Sequence, residues 1–193
     1  MSRYIVALTG ASGVIYGITL IKALLAKGIE VHMVISQPAG LVLEQEMGWE
    51  LGANPELTLG EYFPEGQLYL YNNADIASRL ASGSFVTDGM VIVPCTMSTL
   101  ASVANGLSDN LIERAADVML KERRPLVIVP RETPLSSIHL RNMLSLADMG
   151  AAIVPAMPAF YHRPDNIEDI VSFMVGKILD VMKIPNEIFN RYQ

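Results

Sequence analysis

A single cysteine, Cys95, three histidines and one tryptophan are spread over 193 residues. One thiol cannot close an intrachain disulfide, and with three scattered histidines it supplies no Cys/His cluster of the kind that holds zinc. Charge is also sparse: 18% of residues are charged against 51% hydrophobic, the net charge is −6, and the mean hydropathy is +0.33. That negative balance disfavours a nucleic-acid partner, which is gripped mainly through dense Lys and Arg. Despite the apolar bias, no run approaches the roughly 18–20 residues needed to cross a bilayer. The apolar excess is instead expected to lie between subunits. The opening "MSRY" enters a strand-like run without the basic, apolar and small-residue order of a signal segment, so a cytoplasmic location is expected.

What is present is an alternation of short β-branched runs with segments of helical period. Strands are expected near 4–9, 31–36, 67–71, 89–94, 125–130 and 151–154, with helices near 13–27, 38–48, 97–105, 110–122, 135–148 and 166–182. This is the pattern of an α/β, Rossmann-like, doubly wound and mostly parallel sheet, in one domain spanning 1–193. The stretch "ELGANPELTLGEYFPEG", 50–66, reads as a surface connection.

Doubly wound sheets bind ligands beyond the carboxyl ends of their strands, so the strand tips are the candidate site. The first, "TGASG", places Gly10 and Gly13 before a helix whose free N–H groups suit a phosphate, although a tight turn alone would also use both glycines. Its G-x-x-G spacing falls short of G-x-G-x-x-G, and Ser36 stands where a dinucleotide site wants an acid for the adenosine ribose, so NAD is disfavoured. No G-x-x-x-x-G-K-[ST] anchors ATP or GTP. Thr96, Ser98 and Thr99 crowd the next helix entrance, as caps or as anion donors. Asn110 and Glu113 resemble a capping box, and Arg114, Asp117 and Lys121 share one helix face. Thr133 and Pro134 suit a helix start, which leaves Arg131 and Glu132 at the fifth tip, a cation and an acid able to grip and protonate a phosphate. The last tip, "PAMPAFYHRP", displays Phe160, Tyr161, His162 and Arg163 on a proline-stiffened loop, where an aromatic face could shelter a flat ring or a carbocation.

Taken in order, "TGASG", "ASGSF", "PCTMSTL", "NLIERAADVMLKERRPLVIVPRETPLSSIHLRNM" and "PAFYHRP" resemble the UbiX-type flavin prenyltransferases over nearly the whole chain. The resemblance implies a flavodoxin-like fold and a homododecamer with sites at subunit junctions. It also implies transfer of a dimethylallyl group from dimethylallyl monophosphate to reduced FMN, making the prenylated flavin used by UbiD-type decarboxylases. Carried onto this chain, it assigns Gly10, Ala11, Ser12, Ser36, Thr96, Met97, Ser98, Thr99 and Arg131 to the flavin, with Arg114 nearby. Lys121, Arg131, Glu132, Tyr161 and Lys177 would meet the prenyl phosphate, Tyr192 would add an aromatic wall to the substrate site, and Glu46 with Ser12 would move a proton late in the reaction. Lys177 stands where some members have Arg, Tyr192 where some have Trp, and Thr96 where Ser is more usual. No Asp-rich Mg²⁺ motif occurs, so a metal-independent reaction is expected. A non-catalytic FMN carrier or decarboxylase subunit is the alternative. A flavin-dependent cysteine decarboxylase is disfavoured by "PCTMST" at the fourth tip.

Overall fold

The computed structural model describes residues 2–52, 54–189 and 191. Among these the chain forms six strands, β1 (Arg3–Leu8), β2 (Glu30–Ile35), β3 (Leu68–Asn72), β4 (Gly89–Cys95), β5 (Leu126–Pro130) and β6 (Ala152–Ile153). They make one parallel sheet in the order β3-β2-β1-β4-β5-β6. The chain winds outward from β1 to β3, then returns to lay β4 on the other side of β1. That reversal makes the β1/β4 boundary the switch point, where a crevice opens at the carboxyl edge.

Helices cover both faces, which is why the strands read as apolar runs rather than alternating ones. They are α1 (Val14–Leu25), α2 (Gln37–Met47), α3 (Pro55–Tyr62), α4 (Met97–Ala104), α5 (Leu111–Lys121), α6 (Ser137–Asp148) and α7 (Ile167–Val181). Val6 and Leu8 of β1 pack with α1 and α7, whereas Ile5 and Ala7 pack with α4, α5 and α6. Among the described residues no helix is long and apolar enough to cross a membrane.

Two expectations need correction. The segment 50–66 carries α3, held by Trp49 stacked on Tyr62 at 3.7 Å and by buried Leu59 and Phe63. The fifth tip does not start a helix at Thr133 and Pro134. Their peptide bond is cis, and α6 begins at Ser137, where the Ser136 hydroxyl accepts from His139 N and the His139 ring accepts from Ser136 N.

A polar cluster buried against β2 braces the loop that leads to β4. His32, fully buried, has Nδ1 2.9 Å from the Tyr71 hydroxyl and Nε2 2.8 Å from Glu30 Oε1, the latter off the line of a good hydrogen bond. Arg79 Nε donates to the same hydroxyl at 2.7 Å, and its guanidinium lies over Phe85. Burial holds the His32 pKa below its ordinary value, against the upward pull of Glu30. The unfolded chain therefore binds the extra proton first, and stability is fully present above about pH 6.5 and lost as pH falls from there towards the folded pKa. His32→Gln should flatten that slope in thermal unfolding between pH 8 and pH 5. Equal slopes for the two proteins would exclude His32 as its source.

A candidate active site at the strand tips

Backbone hydrogen bonds join neighbouring tips at the carboxyl edge. Ser36 N donates to Leu8 O at 3.0 Å, Thr9 N to Pro94 O at 3.2 Å, Arg131 N to Cys95 O at 3.2 Å, and Ala156 N to Pro130 O at 3.1 Å. Thr9 reinforces the switch point with its side chain: Oγ1 donates to Pro94 O and accepts from Thr96 N, both at 2.8 Å. Pro94 can offer only its carbonyl, and the β4–β5 register shifts between Ile92 and Cys95, beside this contact. Cys95 is buried there, and burial pushes its thiol pKa up, away from nucleophilic use. The consequence is that the turns at 10–13, 36, 96–99 and 131–132 share one edge.

Both glycines of the first turn have structural reasons of their own. A Cβ on Gly10 would overlap the Pro38 side chain and crowd its backbone C and Cα at 3.2 and 3.3 Å, whereas Gly13 has φ of +98°. The phosphate seat expected at this helix start is taken from within the chain. Gly13 N donates to Glu46 Oε2 at 3.0 Å and Val14 N to the same oxygen at 3.2 Å. The Glu46 carboxylate thus neutralises the positive end of α1 and ties it to α2. In the first turn of α1, burial raises the Tyr16 pKa, Arg131 opposes the rise, and Glu46 adds to it. Tyr16 was invisible in the sequence as a site neighbour, because it falls within an apolar helical run.

The hydroxyls at the tips act as caps. Ser36 Oγ accepts from Ala39 N at 3.2 Å, and Thr96 Oγ1 accepts from Thr99 N at 3.2 Å while donating to Thr99 Oγ1 at 3.0 Å. Ser12 and Ser98 are exposed, as are Arg131 and Glu132, and Met97 is buried in the core beneath the tip. Glu132 Oε1 accepts from Thr133 N at 2.9 Å, which fixes its carboxylate beside the guanidinium's strand. A cleft of about 520 Å³ opens beside Ser36, lined by Gly40, Leu51, Asn54, Tyr71 and Asn72. On the loop after β6, Tyr161 is half-exposed, with its ring edge-on to Phe173 at 5.9 Å, and His162 stacks on Phe173 at 5.1 Å.

The family model for flavoproteins matches residues 1–179. The flavin prenyltransferase UbiX of Pseudomonas aeruginosa is 48% identical over 195 residues, covering 98% of this chain and 93% of that protein. The chain belongs to the UbiX family of flavin prenyltransferases. Two solved structures are similar throughout. A UbiX protein in complex with FMN and dimethylallyl pyrophosphate has a TM-score of 0.92 and 43% identity, covering 100% of this chain and 97% of that one. A dodecameric FMN-dependent UbiX-like decarboxylase from Escherichia coli O157:H7 has a TM-score of 0.90 and 43% identity, covering 99% of each chain.

Within one chain of this UbiX family member, Lys121 lies far from the tips. α5 starts at the carboxyl edge, where Leu111 N donates to Asn73 O, and runs back to end at Lys121. Lys121 lines a cleft of about 720 Å³ with Pro125, Leu126 and Ala152, at the amino edge of β5 and β6. The five residues of β5 separate that edge from Arg131 by roughly 16 Å. Lys177 lies ten residues along α7, roughly 15 Å from its start, and the end of the helix reaches the same cleft through Val181. It is exposed, with Nζ 4.0 Å from Asp180 Oδ2. Arg114, in the first turns of α5, donates to Ala81 O at 3.2 Å and pairs with Asp117 at 2.5 Å. Tyr192 lies outside the described residues.

Proposed function

We propose that this chain joins the dimethylallyl group of dimethylallyl monophosphate to N5 and C6 of reduced FMN, giving prenylated FMN for a UbiD-type decarboxylase. The observation that supports this reading is the row of turns carrying Ser12, Ser36, Thr96–Thr99, Arg131 and Glu132 along the carboxyl edge on either side of the β1/β4 switch point, in a chain of this family. The donor set suits FMN. Hydroxyls and one guanidinium can hold a phosphate and a ribityl chain, and Ser36 leaves no acid for an adenosine ribose. The likeness to a UbiX protein that holds FMN and dimethylallyl pyrophosphate supports the same pair of ligands here.

Reduced FMN, when bound, supplies the nucleophilic N5 and C6 atoms. The chain's own groups serve the donor. Arg131, Lys121 and Lys177 hold the phosphate as negative charge gathers on it, and Glu132 gives it a proton, so the C–O bond breaks without a metal ion. The Tyr161 face shelters the allyl cation. Glu46, anchored on Gly13 N and Val14 N, would act with Ser12 to move the late protons, one delivered to the prenyl double bond and one removed from C6, so that the second bond forms with no net proton gained or lost. Because Lys121 stands at the amino edge, it would reach the Arg131 of a neighbouring copy rather than its own. The dodecameric relative, and the exposure of Leu135, Ile138, Leu140 and Leu144 around α6, support a homo-oligomer in which one copy completes another's site.

The protein, mixed without air with reduced FMN and dimethylallyl monophosphate or diphosphate, should yield a flavin heavier by one C5 unit in mass spectra. Bound flavin with neither donor consumed would reject the reading.

A further inference from the structure

The "ASGSF" segment, 81–85, is tied to α5 and the turn that follows. Arg114 Nε donates to Ala81 O at 3.2 Å, while Arg124 donates through Nη2 to Gly83 O at 2.5 Å and through Nη1 to Phe85 O at 2.9 Å. The Ser82 and Ser84 hydroxyls lie 2.8 Å apart, closing the segment on itself. On this braced shelf Gly83 faces Lys121 and Glu122. Its backbone lies outside the left-handed region, so conformation does not demand glycine. Space does: a Cβ there would overlap Glu122 Oε1 and lie 2.8 Å from its Cδ and 3.0 Å from Lys121 Nζ. In that space Glu122 Oε1 meets Lys121 Nζ at 2.5 Å. The pairing with Lys121 holds the Glu122 pKa below its ordinary value, so the carboxylate stays charged.

We infer that Gly83 and Glu122 are positioning residues for Lys121: the missing side chain leaves room for a carboxylate that fixes where the lysine ammonium is presented. This rests on the proposed role of Lys121 at the prenyl phosphate of a neighbouring copy. A free lysine samples many rotamers, and holding its tip in one place removes an entropy cost from the binding step. The atoms a new methyl would strike are the ends of flexible side chains, so the fold can absorb Gly83→Ala while the lysine is displaced.

The test compares wild type, Gly83→Ala, Glu122→Gln and Gly83→Ala/Glu122→Gln by steady-state kinetics in both substrates, with flavin affinity and thermal midpoint measured alongside. Each single variant should raise KM for the prenyl donor roughly three- to tenfold, as expected for freeing one long side chain, with KM for flavin unchanged. The double variant should cost no more than the worse single one, because both act through Lys121. Donor KM unchanged in both single variants, or additive losses in the double, would overturn the inference while the reaction itself stands. A wild type that forms no heavier flavin would instead remove the reading on which it rests. Should Gly83→Ala misfold, Glu122→Gln decides alone, since it removes charge without adding bulk.

Discussion

Glu132→Gln should lower turnover about 10²- to 10⁴-fold while leaving flavin affinity unchanged, the range expected when a positioned proton donor is lost. Glutamine keeps the shape and can still accept from Thr133 N, the contact that orients the native side chain. It cannot protonate the departing phosphate. Arg131 is untouched, so binding of the anionic partners persists and the defect falls on kcat. Turnover followed by mass spectrometry and flavin affinity by fluorescence titration separate the two effects. A protein that merely carried FMN would be indifferent to the change, so undiminished delivery of modified flavin would end the assignment of Glu132 as the acid.

Lys121→Ala and Glu132→Gln, each nearly inactive, should restore about one quarter of wild-type turnover when their subunits are randomly mixed in one assembly. The estimate follows from geometry. Lys121 stands at the amino edge and Glu132 follows the carboxyl tip of β5, so under the proposed function they would enter a shared site from different copies. With equal mixing, half of the lysines and half of the glutamates are native, and a site holds both native residues one time in four. Were Lys121 to serve its own chain's tip, each site would carry one lesion and mixing would restore nothing. Coexpression of differently tagged subunits with tandem purification gives the required sample.

β1, β2, β4 and β5 were legible to within a residue or two because burial on both faces of a parallel sheet leaves contiguous runs such as "YIVAL" and "LVIVP". α3 was not. Gly60 and a weak apolar stripe hide its period, and its support comes from Trp49, which precedes it in the chain. The turns after the strands were legible as neighbours on one edge because the doubly wound topology dictates where tips gather. Thr9 drew attention only as the end of a strand, since its second partner, Thr96, lies across the switch point. Gly83 and Glu122 carried no local signal. The reason for that glycine is the volume needed by an ion pair on another element. The helix period put Lys121 on one face with Arg114 and Asp117, but its role at a phosphate, like that of Lys177, entered through family resemblance alone, as a pattern within one chain says nothing of which copy a side chain serves.

Trp49 is the only tryptophan in the chain, is nearly buried, and lies flat on Tyr62, the last residue of α3. Its emission therefore monitors one corner of the molecule, where α3 docks against the turn after α2. A ligand that tightens this corner would shift the spectrum without any change in the sheet, and undocking of α3 would redshift it before the rest of the fold opens. The protein carries its own optical probe for the helix that the sequence concealed.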